Sequence, residues 1–185
     1  MSDSAAKHRA KQTVRNLILS LLVSLGLMVA LVLGVPRDDS NRVNPVDYAQ
    51  IAQEAEATVN KTVLAPTVPA DWYSNGARLE NELDVQSWYI GFVTPDNQFI
   101  GMSQAFESNP SWLALTLQGN WQDGEVVLDG KTWQIWPTLT PSNPPGTKEY
   151  AMVHEHEGSA VVIFGTAKKE DFILLATEIS KQMDH

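Results

Sequence analysis

The feature that most limits this chain is Leu17–Val35, 19 consecutive uncharged residues rich in Leu and Val behind a basic tail. Wound as a helix at about 1.5 Å per residue, the run reaches roughly 28 Å, close to the thickness of a bilayer's hydrocarbon core. Arg15 and Arg37 mark its limits. On the N-terminal side Lys7, Arg9, Lys11 and Arg15 face only Asp3, whereas Asp38 and Asp39 offset Arg37 and Arg42 beyond it. That bias predicts a cytoplasmic tail over 1–16, a single transmembrane helix over 17–35, a linker over 36–44 and an exocytoplasmic domain over 45–185. The expected location is the plasma membrane.

A cleaved signal peptide is the competing reading. Its apolar core is usually about 7–15 residues and ends in a small-residue site. This core is longer, and Val32-Leu33-Gly34 matches such a site poorly, so a retained anchor is expected. The chain has no cysteine, which rules out a lipid-modified one. Gly26, Ala30 and Gly34 recur every four residues, a small-residue face along which two helices of this kind can associate into a homo-oligomer.

The 150 residues after Val35 suffice for one domain with a real core. They carry 9 Lys and Arg against 21 Asp and Glu, a net charge of −12. So acidic a surface argues against nucleic acid as a partner. Without cysteine the domain holds together by packing alone and has no thiol chemistry.

Helix signals open and close this region. Asp47 can cap a helix with Gln50 three residues on, and Tyr48, Ile51, Ala52, Ala55 and Val59 form one apolar stripe. From about Lys168, the residues Phe172, Leu175, Ala176, Ile179 and Met183 repeat it. Between them the pattern is strand-like. Ser87–Val93 is apolar on both faces, as in a central strand, and Gln98–Phe106 returns after the turn Thr94-Pro95-Asp96-Asn97. Ser111–Gly119 fits a short helix or another strand. Asp129-Gly130 predicts a tight hairpin between Glu125–Leu128 and Lys131–Trp136, and a second hairpin is expected around Gly158-Ser159. Pro141, Pro144, Pro145 and Gly146 mark a long loop. The expected class is α+β: five to seven antiparallel, hairpin-connected strands with two helices packed on one face.

Chemistry-bearing residues are sparse. His154 and His156 share one face of a strand and could approach a metal ion together, but a third ligand is missing from the pattern. No cofactor is expected. Ser103 sits inside an alternating strand, where a nucleophile elbow has no place. Trp133 and Trp136 have opposite parity, so one of them, or Trp121, is expected to be exposed and to contact a ligand or partner.

Pro45–Tyr48 (PVDY), Ser87–Pro95 (SWYIGFVTP), Phe99–Ala105 (FIGMSQA), Asp129–Trp133 (DGKTW) and Val162–Phe172 (VIFGTAKKEDF), behind a basic tail and one span, resemble an uncharacterised actinobacterial family of single-pass membrane proteins. The resemblance implies a bacterial plasma-membrane protein with an exocytoplasmic domain and carries no catalytic residue. The expectation is a tethered binding or accessory domain that docks on a membrane complex or envelope protein, not an enzyme. Capture of an envelope glycan by exposed tryptophans is the alternative, and a metal-dependent enzyme built on His154 and His156 is a third.

Overall fold

The computed structural model describes residues 3–34, 45–117, 120–138 and 148–183. The chain divides into two units, Met1–Arg42 and Val43–His185. The linker expected over 36–44 and the proline loop expected after Thr138 fall largely outside the described residues.

The first unit is a single helix, α1 (Asp3–Gly34). Within it Gln12–Leu31 is long and apolar enough to cross a membrane, and all of its residues are exposed. Gly26 and Ala30 lie one helical turn apart, with open space where a Cβ at Gly26 would stand. Gly34 ends the helix.

The second unit is built on seven strands: β1 (Tyr73–Glu82), β2 (Val85–Val93), β3 (Phe99–Ala105), β4 (Gly124–Leu128), β5 (Lys131–Pro137), β6 (Tyr150–His156) and β7 (Ser159–Gly165). All neighbours are antiparallel, in the order β1-β2-β3-β7-β6-β5-β4. Two meanders are therefore joined at one seam, where β3 pairs with β7 from Ile100↔Gly165 to Ala105↔Ala160. The α+β expectation holds.

The helices start where capping side chains satisfy otherwise orphaned N–H groups. In α2 (Tyr48–Val59) the Asp47 carboxylate accepts from the Gln50 N–H at 3.1 Å, and Asn60 ends the helix with φ 52°. The segment left open between helix and strand is α3 (Pro110–Thr116): Asn109 accepts from the Trp112 N–H at 2.8 Å, and Pro110 fits the first turn. In α4 (Lys169–Gln182) the Asp171 carboxylate reaches back to the Lys168 N–H.

Helices α2 and α4 cover the same sheet face. Trp88, Ile90 and Phe92 of β2, Ile100 and Met102 of β3 and Ile163 of β7 pack there against Ala52, Ala55, Phe172, Leu175 and Ile179. A strap after α2 lies over the same core, held by side chains in place of a strand partner. Gln104 accepts from the Leu64 N–H and donates to the Thr62 carbonyl, both at 2.9 Å. The Trp88 indole donates to the Leu64 carbonyl at 3.0 Å, and Gln182 clamps both backbone groups of Ala65. The other face carries a smaller cluster around Trp112, Val153, Val162 and Phe164.

Two local expectations are corrected. Strand β1 was not anticipated, because it is an edge strand: only Ala77 and Leu79 reach the core, and the rest of its sequence is mostly polar. Its turn to β2, Leu83-Asp84, has φ 53° and 61° without a glycine to announce it. The β6–β7 turn is Glu157-Gly158, not Gly158-Ser159, since His156 pairs with Ser159.

Gly165 sits at the seam where a Cβ would run into the carbonyl oxygen of Phe99. Gly165→Ala is expected to lower stability by about 1–3 kcal/mol through forced backbone displacement, read as a fall in the denaturant midpoint; an unchanged midpoint would show the seam has slack.

Candidate functional site

On the face of the sheet opposite α2 and α4 a row of glycines makes room for side chains that lie over it, among them rings that line a cavity. Gly76, Gly91 and Gly101 pair across β1, β2 and β3, and Gly101 pairs with Phe164 of β7. The missing Cβ atoms let rings lie down on the backbone: at Gly101 a Cβ would come within 3.0 Å of both Phe99 and Phe164. Those two rings stand 6.1 Å apart at 57°.

The next row across the sheet supplies polarity. Arg78 pairs with Tyr89 and Tyr89 with Ser103. The Arg78 guanidinium lies 4.3 Å from the Tyr89 ring centroid and bonds Glu80 at 2.5 Å. Trp112 and Thr116 of α3 and Lys148, just before β6, complete a cavity of about 290 Å³. Its polar groups are poorly served by the protein. Ser103 and Thr116 are largely buried, and neither hydroxyl has a hydrogen-bond partner among the described residues, but neither is a sealed orphan atom as Asn120 Oδ1 is. Both line the cavity. The Lys148 ammonium lies 5.1 Å from the Phe164 ring centroid and 3.5 Å from the Leu115 carbonyl oxygen, with no carboxylate in ion-pair reach among the described residues. Burial pushes its pKa down, and Glu82 and Glu80 pull it part of the way back. Burial likewise raises the Tyr89 phenol, against the pull of Arg78.

The residues singled out from the sequence fall elsewhere. Trp133 is corrected: as a partner of Val126 in the β4–β5 ladder it faces α4, is fully buried, and donates its indole N–H to Ser180 Oγ at 2.9 Å. It can touch no external ligand. Trp136 points to the other face, half-buried, with its indole on Gln134 at 3.2 Å. Trp121 is 47% exposed ahead of β4. The structure does not bring the three into one groove; Trp112, the tryptophan that lines the cavity, was not among them.

His154 and His156 do share a face, with rings 6.3 Å apart and nearly parallel at 14°. His154 is buried, and its Nδ1 donates to the Thr132 carbonyl at 2.8 Å; His156 is exposed, 3.8 Å from Glu157. They line a second cavity, about 240 Å³, with Gln104, Lys131 and Gln182. Among the described residues no group of three or more His, Cys, Asp or Glu is placed to hold a metal ion.

Residues 9–179 match the family described as "Protein of unknown function (DUF4245)". The chain belongs to that family. The DUF4245 match begins within α1 and ends within α4, so it takes in the apolar helix as well as the sheet. No curated protein and no solved structure matches the chain.

The groove of this DUF4245 protein went unnoticed in the sequence, although a signal was present. Gly91 and Gly101 interrupt two central strands that are otherwise heavy with aromatic and aliphatic residues, and such glycines mark close approach.

Two measurements test the site's chemistry. Lys148 is expected to acylate with a midpoint at lower pH than Lys168 or Lys181, whose hydrogen bonds to Asp96 and Glu178 raise their pKa values. Site-resolved mass spectrometry across a pH series reads the order, and a Lys148 midpoint above those two would contradict it. Ser180→Ala is expected to cost about 1–3 kcal/mol by stranding the buried Trp133 indole N–H, seen as a lower melting temperature.

Proposed function

We propose that this DUF4245 protein is a single-pass plasma-membrane protein whose exocytoplasmic domain binds a ligand without catalysing its conversion. The observation that carries the reading is the cavity between Tyr89, Phe99, Trp112 and Phe164, where among the described residues the Ser103 and Thr116 hydroxyls have no hydrogen-bond partner and the Lys148 ammonium has a ring face and one carbonyl but no carboxylate in reach. Hydroxyls open to an apolar-walled cavity and a cation without a carboxylate in reach offer donors to an external partner. Binding is favoured over catalysis because the hydroxyls stand on the sheet face opposite His154 and His156, out of reach of either imidazole as a base. The basic residues Lys7, Arg9, Lys11 and Arg15, ahead of the apolar run of α1, support this orientation, and the actinobacterial resemblance supports a bacterial envelope.

A second reading rests on the edge strand β4. Val127 is 66% exposed there, with Trp121 just before it. An envelope protein adding an antiparallel strand to β4 would cover both.

The absence of cysteine makes topology simple to test. With single substitutions Ser4→Cys or Thr67→Cys, a membrane-impermeant maleimide should label position 67 in intact cells and position 4 only after lysis; the reverse pattern would overturn the orientation. A photoreactive residue at Thr116 should form an adduct of small-molecule mass in cells. Protein-sized adducts at Val127 would favour the edge-strand reading, and no adduct at either place would sink the binding proposal.

A further inference from the structure

Taking the groove as a binding site, as above, its polar inventory also specifies the ligand's charge. An ammonium offers donors only, a guanidinium likewise, and a hydroxyl can donate. Lys148 and Arg78 are two of only nine basic residues after Val35, yet both reach one cavity in a region of net charge −12. They are not equivalent. Arg78 is already engaged, stacked on Tyr89 and bonded to Glu80. Lys148 is not: its partners are a ring face and a carbonyl oxygen at 3.5 Å. Ser103 and Thr116 present hydroxyls at the same cavity with no competing acceptor among the described residues.

The acidic residues of the rim fit this division. Glu80 and Glu82 line the cavity, and Glu80 is tied to Arg78. Burial disfavours the charged form of Lys148 and the field of Glu82 and Glu80 opposes that in part, while no carboxylate among the described residues stands in contact with the ammonium. A ligand cation would meet that ammonium unshielded; a ligand anion would complete it. The rest of the lining is aromatic, with Phe99 and Phe164 laid on the glycine row and Trp112 across from them.

We infer that the groove is an oxyanion-binding site for a small amphipathic molecule, whose carboxylate or phosphate is held by Lys148, Ser103 and Thr116 while its apolar body lies against Phe99, Phe164 and Trp112. At about 290 Å³ the cavity takes a small head rather than a folded partner. Both a soluble carboxylate and a lipid phosphate present this chemistry, and the two are separated by experiment.

The test uses the full chain in detergent micelles and three fragments of similar size: phenylacetate, phenyl phosphate and the neutral phenylacetamide. Fragments of about ten heavy atoms bind in the millimolar range, which saturation-transfer and chemical-shift NMR detect. At least one anion should bind ten-fold or more tightly than the amide and perturb Trp112. Raised salt should weaken the anion alone. Lys148→Gln should remove the preference with the melting temperature nearly unchanged, and Ser103→Ala should reduce it several-fold. Tighter phenylacetate points to a soluble carboxylate, and tighter phenyl phosphate to a phosphate headgroup. If anion and amide bind equally, the oxyanion inference falls and the groove stands as a binding site. If none perturbs Trp112 while the chain remains folded, the groove reading falls with it.

Discussion

The pairing of β3 with β7 is the contact on which the rest of the domain depends. Each meander alone is a small sheet with one exposed long edge, marginal in water. Joined from Ile100↔Gly165 to Ala105↔Ala160, they form a surface wide enough for α2 and α4 to bury Trp88, Phe92, Ile100 and Phe172 in one core. The seam tolerates little variation. Gly165 lies against the backbone of Phe99, and Thr166 continues the join by accepting from the Phe99 N–H at 3.2 Å. Phe99 is thus fixed by the seam on its backbone side and lines the groove with its ring.

The two faces of the sheet use the same alternation for different ends. One face is closed by helices and by a strap that side-chain amides hold in place. The other carries α3 and the smaller cluster, and side chains such as Asn75, Tyr89, Phe99 and Phe164 lie over its central glycines. What the first face does with Trp133, a large ring sealed with its N–H satisfied, the second does not do with Tyr89 or Lys148. The larger core and the cavity beside Lys148 therefore lie on opposite faces of one set of strands.

Much of this architecture was legible in the sequence where signals are local. The stripe from Tyr48 to Val59, the Asp129-Gly130 hairpin and the double-sided apolar strand Ser87–Val93 all sit where their periodicity put them. Strand β1 was hidden because an edge strand buries little and its turn uses Leu83 and Asp84 in place of glycine. Parity separated Trp133 from Trp136, but only the packing of α4 decides which of the two is sealed. The groove was hidden for a non-local reason: Tyr89, Ser103 and Phe164 come together only when β2, β3 and β7 pair in register.

That same seam sets the order in which the chain can become safe. A chain is made from its N-terminus, so the β1–β3 meander exists well before β7. Until Ala160–Gly165 arrives, the Phe-Ile-Gly-Met-Ser-Gln-Ala strand offers its unpaired edge to any neighbour, including another nascent copy. The intervening strands β4, β5 and β6 do not cover it, because the topology places them on the far side of β7. Such distant pairing slows folding and prolongs exposure. The domain therefore becomes resistant to aggregation in a single late step, when its next-to-last element is complete.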